Sequence, residues 1–199
     1  LSIDYRNVMA EAVGDEHGLT DALIDAVAPK VAAEHERIWA EHAAGEQKWL
    51  DLPDNTQLAD EISAYAKEAS DTYDDYLLIG IGGSSLGAIA TIQALTHPHR
   101  NLQSKAHRGG PRFFVLDNPD PEKVKATLET VDLSKTLVNV VTKSGQTAET
   151  MANFLVALEA LEDAVGKDQA RKQVLATTDA DSGLLRQLAD EEGYRTFEV

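Results

Sequence analysis

The sequence predicts an α/β fold: a doubly wound, five-stranded parallel sheet of flavodoxin-like type, preceded by a helical extension. Three observations predict it. From Tyr76 onward, apolar runs of strand length alternate with stretches of helical periodicity. Three of those runs are apolar almost throughout, as strands are when helices cover both faces of their sheet. Helical stretches separate successive runs, so five strands are joined by four crossovers, the pattern of parallel strand order.

Before Tyr76 the periodicity is helical. Residues Asp4 to Val13 form a short amphipathic stretch with Gly14 placed to end it. A longer helix is expected after Thr20, an N-cap residue, with Leu23, Val27, Val31 and Ile38 recurring at helical spacing. Pro29 should kink or split it, and Gly45 should end it. Glu46 to Asn55, with Trp49, Leu50, Leu52 and Pro53, reads as an ordered connector. A third helix is expected from Thr56 to Ser70, with Leu58, Ile62, Tyr65 and Ala69 on one face. The expected strands are Tyr76–Ile81, Arg112–Leu116, Thr136–Val141, Gln173–Thr177 and Tyr194–Val199. The helices between them are Leu86–Leu95, Pro121–Thr130, Ala148–Val165 and Leu184–Glu191. The chain thus divides into a helical segment, 1–73, and a sheet domain, 74–199.

Composition narrows the function. The 199 residues and 43% hydrophobic content suit one domain with an appended segment. The chain has no cysteine, which excludes disulfides and thiol chemistry and fits a cytoplasmic protein. With 34 acidic against 18 basic residues the formal net charge is −16, so long-range repulsion opposes nucleic acid and anionic membranes as partners. No apolar run approaches the ~20 residues of a membrane span. The start at Leu1 and the strand-like end at Tyr194–Val199 lead to the expectation of a fragment of a longer protein.

Two loops carry the chemistry. The first, Gly80-Ile81-Gly82-Gly83-Ser84-Ser85-Leu86-Gly87, follows the first strand and opens a helix. It fails the dinucleotide fingerprint, because Ser85 stands where the third glycine belongs, and the P-loop, because Ala88 rather than Lys follows Gly87. It remains a turn suited to a single phosphate at a helix N-terminus, or a set of small residues for tight strand–helix packing. The second loop, Thr142-Lys143-Ser144-Gly145-Gln146-Thr147-Ala148-Glu149-Thr150, follows the third strand with four hydroxyls and a lysine. Helix capping explains one such hydroxyl, not four. In a sheet of order 2-1-3-4-5, ligands bind where the connections after strands one and three diverge. Both loops lie there, which points to a phosphorylated small molecule.

The same residues carry a resemblance. Ile79-Gly80-Ile81-Gly82-Gly83-Ser84-Ser85-Leu86-Gly87, together with Thr142 to Thr150, resembles the phosphoglucose isomerase family. The second loop alone is shared with the wider class of sugar-isomerase (SIS) domains. The resemblance runs from about Asp74 to Val199 and is weaker over the N-terminal helices. Family members have two SIS domains, and this chain resembles the first; the second, like the family's Gly-Gly-Arg signature, is expected to lie outside it.

The resemblance implies that Ser84 and the backbone around Gly83 contact the sugar phosphate or sugar hydroxyls. Thr142, Lys143, Ser144 and Thr147 would line the phosphate pocket, Ser144 standing where many members have Thr. Glu149 matches a glutamate that orients the ring-opening histidine. As a residue it is equally well explained as a first-turn carboxylate favoured by the helix dipole.

The family interconverts glucose 6-phosphate and fructose 6-phosphate. A histidine and a lysine open the ring, and a glutamate moves a proton between C2 and C1 through a cis-enediol. By resemblance those groups lie outside this chain, so it is expected to bind phosphohexose without isomerising it. No metal or organic cofactor is implied, and the parent enzyme is expected to be a homodimer.

Two other assignments stay open on the residues alone. One is an SIS domain of another phosphosugar isomerase or of a transaldolase–isomerase fusion. The other is a phosphosugar-sensing regulator, although no basic DNA-binding segment is evident. The six histidines show no convincing metal spacing. The basic stretch from His97 to Arg112 reads as an extended surface loop or a subunit contact.

Overall fold

The computed structural model describes residues 2–199. They form two compact units, one reaching Ala59 and the other spanning Asp60–Val199. In the first unit, a 3-10 turn at Arg6–Val8 is followed by α1 (Ala10–Val13) and α2 (Asp21–Ala43). The expected single stretch from Asp4 to Val13 is broken at Met9. The Ala10 amide donates to Leu19 O and the Leu19 amide to Val8 O, each at 2.8 Å, which holds Met9 in an extended bridge. Thr20 caps α2, its Oγ1 accepting from the Leu23 amide at 3.3 Å. Pro29 does not split α2, because the helix turn around it is exposed and water can satisfy the carbonyl that proline leaves without a donor. A 3-10 segment at Lys48–Asp54 leads to α3 (Thr56–Thr72), capped by Asn55 Oδ1 on the Leu58 amide at 3.1 Å. The division between units falls inside α3, so its length from Asp60 belongs with the sheet.

The sheet contains β1 (Asp75–Ile79), β2 (Arg112–Leu116), β3 (Thr136–Val141), β4 (Val174–Thr178) and β5 (Arg195–Glu198). All pairings are parallel and the order is β2-β1-β3-β4-β5. The helices of this unit are α4 (Gly83–Leu95), α5 (Lys105–Arg108), α6 (Pro121–Thr130), α7 (Ala148–Val165), α8 (Lys167–Ala170) and α9 (Leu184–Glu192). The apolar runs sit where their composition demands. Leu77, Ile79, Val138, Val140 and Ala176 are fully buried with Phe154 and Leu161 of α7 and Leu185 of α9 in one core. Phe113, Phe114 and Val115 of the edge strand β2 are only half-buried.

Two polar arrangements hold this sheet. Asp75, fully buried at the start of β1, accepts from Arg112 Nε at 2.6 Å, Arg112 Nη2 at 2.7 Å and the Asp132 amide at 3.0 Å. Both of its oxygens are paired, with three of about four acceptor sites used, the condition under which burial is tolerated. Across β1, β3 and β4, Asn139 Nδ2 donates to the Tyr76 hydroxyl at 2.7 Å while Thr177 Oγ1 donates to Asn139 Oδ1 at 3.0 Å.

The basic stretch before β2 is ordered rather than extended. Lys105 pairs with Asp74 at 2.9 Å, Arg108 donates to the carbonyls of Gln103 and Gly110, and Asn101 bonds both backbone groups of Phe113. Lys105, Arg108 and Arg112 thus answer nearby acids and carbonyls, whereas the buried Arg100 Nε has no partner among the described residues.

Candidate anion site at the C-terminal edge of the sheet

β1 and β3 are neighbours, Ile79 opposite Val140, so the loops that leave them start side by side. The approach is close. A Cβ on Gly80 would lie 3.0 Å from Ser84 Cβ and 3.1 Å from the Val141 carbonyl oxygen, so glycine lets the first loop turn against the end of β3.

In the first loop the amides of Ser84, Ser85 and Leu86 are taken by the carbonyls of Ile81 and Gly82, at 3.2, 3.1 and 2.9 Å. Ser85 is buried and its hydroxyl turns back to Gly82 O at 3.3 Å. The donors left for a ligand are therefore the amides of Gly82 and Gly83 and the half-buried Ser84 hydroxyl, fewer than the sequence promised. In the second loop Thr142 is buried, and its Oγ1 lies 3.5 Å from Thr147 Oγ1, at the outer limit of a hydrogen bond. Ser144 Oγ accepts from the Gln146 amide at 3.2 Å, while Lys143 and Glu149 are exposed.

Capping differs among the longer helices, although the short helices α1, α5 and α8 also begin without a side-chain cap and α6, which opens at this edge after β2, has one. α2, α3 and α6 begin under side-chain caps from Thr20, Asn55 and Asp120. α4, α7 and α9 begin at Gly82, Thr147 and Gly183 with no side-chain cap. Thr147 is a residue of capping type, yet its hydroxyl turns toward Thr142 instead, so ordinary capping does not explain it. Uncapped N-termini carry unused N–H groups and the positive end of the helix dipole, both favourable to an anion.

A third segment, which sequence reading missed, completes the edge. After β4, Asp179 accepts from the Asp181 amide at 3.1 Å and from the Ser182 amide and hydroxyl, each at 3.0 Å. The Asp181 amide first, then the Ser182 hydroxyl, hold its carboxyl below the ordinary range, with the Lys143 charge adding to them. The Asp179-Ala180-Asp181-Ser182-Gly183 run, a turn-forming composition just before a helix, was the available signal.

The larger hollows of this unit lie elsewhere: about 730 Å³ between α3, α4 and the sheet, and about 560 Å³ between α6 and α7. Their walls are mostly apolar, so the assignment rests on converging donors and not on the size of a cavity. The unit's histidines, His97, His99 and His107, precede β2 and so lie at the opposite edge. Among the described residues no three acidic or imidazole groups gather as metal ligands.

Comparison with known proteins agrees with this architecture. A glucose-6-phosphate isomerase of Carboxydothermus hydrogenoformans is 37% identical over 201 residues, covering all of this chain and 43% of that protein. The crystal structure of a hypothetical protein from Thermus thermophilus superposes with a TM-score of 0.76 at 36% identity, over 88% of this chain and 40% of the other. A glucose-6-phosphate isomerase from Chlamydia trachomatis superposes with a TM-score of 0.62 at 26% identity, over 77% of this chain and 27% of its own. The chain spans less than half the length of these relatives. The phosphoglucose isomerase family pattern itself matches residues 55–191, which include both loops and strands β1 to β4. The chain belongs to the phosphoglucose isomerase family.

Proposed function

We propose that the Gly82–Ser84 turn and the Thr142–Thr147 loop grip the phosphate end of a hexose phosphate, and that residues 74–199 are the phosphosugar-binding domain of a glucose-6-phosphate isomerase. The observation that carries this reading is the pair of uncapped helices, α4 and α7, opening side by side at the ends of β1 and β3. The amides of Gly82 and Gly83, those of the first turn of α7, the hydroxyls of Ser84, Thr142, Ser144 and Thr147, and the Lys143 ammonium are all groups that a phosphate oxygen can accept from.

Aldose–ketose isomerisation then needs a proton moved between adjacent carbons. Held by its phosphate, the open-chain sugar would present C1 and C2 to a base with the reacting atoms already oriented. In the sheet unit this edge has no histidine among the described residues, and Glu149 is an exposed first-turn carboxylate suited to orienting a neighbour. The chain therefore supplies binding and positioning, while ring opening and proton transfer come from the rest of a longer, cytoplasmic, dimeric enzyme.

Calorimetric titration of the chain with glucose 6-phosphate and with glucose tests this. Binding of the phosphate ester but not of the free sugar, with no fructose 6-phosphate formed, is the expected result. Equal affinity for both sugars would sink the phosphate grip, and turnover would sink the division of labour.

A further inference from the structure

The second loop is held from behind by the segment that joins β4 to α9. Thr178, fully buried, donates its single hydroxyl proton between two carbonyls, those of Thr142 at 2.8 Å and Lys143 at 3.1 Å. The Asp179 amide also reaches Lys143 O, at 3.2 Å. The Leu184 amide, in the first turn of α9, which has no side-chain cap, donates to Ser144 O at 3.2 Å. Three consecutive carbonyls thus point toward β4 and α9. The fit is tight: a Cβ on Gly145, whose φ is +67°, would lie 2.2 Å from the Leu185 nitrogen, and one on Gly183 would lie 2.5 Å from Ser144 O.

The consequence follows from peptide geometry. In a planar trans peptide the N–H of residue i+1 points opposite to the C=O of residue i. Holding the carbonyls of Thr142, Lys143 and Ser144 toward β4 and α9 turns the amides of Lys143, Ser144 and Gly145 the other way, toward the β1–β3 crevice. None of those three amides has a backbone acceptor among the described residues. α9 is also accounted for: its N-terminus is capped by the loop's own Ser144 carbonyl, and α4 and α7 are left open for a ligand.

We infer that Thr178, with the N-terminus of α9, is a positioning element: it sets the direction of the loop amides and so preorganises the anion site without touching the ligand. This rests on the phosphosugar reading above. A loop whose peptide planes could rotate would have to be ordered at each binding event, and affinity would fall accordingly.

Thr178→Val removes the hydroxyl and keeps the shape, Thr178→Ser restores the hydroxyl, and Gly183→Ala pushes on Ser144 O from the other side. Titrations with inorganic phosphate and with glucose 6-phosphate, followed by the backbone amide resonances of Lys143, Ser144 and Gly145, give affinity and loop geometry together. The expected result is affinity lower by about tenfold or more in T178V and G183A, with T178S close to the wild type and the loop amides shifted in T178V before any ligand is added.

Three outcomes overturn the inference. One is an unchanged dissociation constant in a T178V protein that is merely less stable. Another is loop amide resonances and dynamics identical to wild type in T178V. The third is failure of T178S to restore binding. If instead the wild type binds neither probe, the phosphosugar reading fails with it; unchanged loop amides in T178V would remove the positioning role alone.

Discussion

Thr142→Val separates the ligand role of this edge from its structural role. In the free protein the Thr142 hydroxyl lies 3.5 Å from Thr147 Oγ1, a contact at the limit of hydrogen bonding and worth well under about 1 kcal/mol. The two side chains have nearly the same shape, and the residue is buried, so valine should cost the fold less than about 1 kcal/mol. A phosphate oxygen received by that hydroxyl would instead gain a charge-assisted bond of about 1.5–3 kcal/mol. At 1.4 kcal/mol per factor of ten, glucose 6-phosphate affinity should fall about 10- to 150-fold. Urea unfolding measures the first quantity and calorimetric titration the second. A loss of stability well above 1 kcal/mol with affinity unchanged would show that the hydroxyl serves packing, and the phosphate assignment would have to be withdrawn.

Other perturbations probe the frame. Gly145→Ala places a Cβ against the Leu185 nitrogen at a left-handed φ, and the two costs together should remove about 2–5 kcal/mol by urea denaturation; a change within 0.5 kcal/mol, about the effect of a bland surface substitution, would mean the loop does not rest on α9. Asp75→Ala leaves Arg112 without its carboxylate and strips the Asp132 amide of its acceptor, a loss of about 2–4 kcal/mol, moderated because Arg112 keeps some water; near-neutral unfolding curves would contradict the packing at the start of β1.

Acidification should destabilise the chain. The Lys105 ammonium first, then Lys135, holds the Asp74 carboxyl below its ordinary value of 3.8, and Arg171 followed by Lys167 holds Glu192 below 4.5. Groups lowered in the folded state add stability above their unfolded values and lose it as pH falls through the folded ones. The urea midpoint should therefore decline from about pH 4.5 downward, less steeply in Asp74→Asn, and a midpoint flat to pH 3 would refute the pairing.

The outline of the fold was legible before any coordinates. Four of the helices after Tyr76 begin or end where the periodicity placed them, α6 and α7 at both ends, because buried parallel strands and amphipathic helices leave strong apolar signatures. Irregular segments were less legible. The break at Met9 comes from a bridge to Leu19, and the order of the His97–Arg112 stretch comes partly from its own carbonyls and partly from Asp74 and the Tyr73 carbonyl, which lie near Lys105 only in the folded chain.

The sequence by itself determined the class of sheet and the two hydroxyl-rich loops, because periodicity and glycine placement are local properties, while the strand order is a property of the folded sheet. The sequence also carried the family in those loops. Only the tertiary structure decided which groups stay free at the site. Ser85 turns inward to Gly82, Thr147 leaves α7 uncapped, and Thr178 with α9 aims the second loop. The aiming of that loop depends on hydrogen bonds between residues tens of positions apart. A donor's availability is set by whether an acceptor has claimed it in the folded chain, and no local pattern records that.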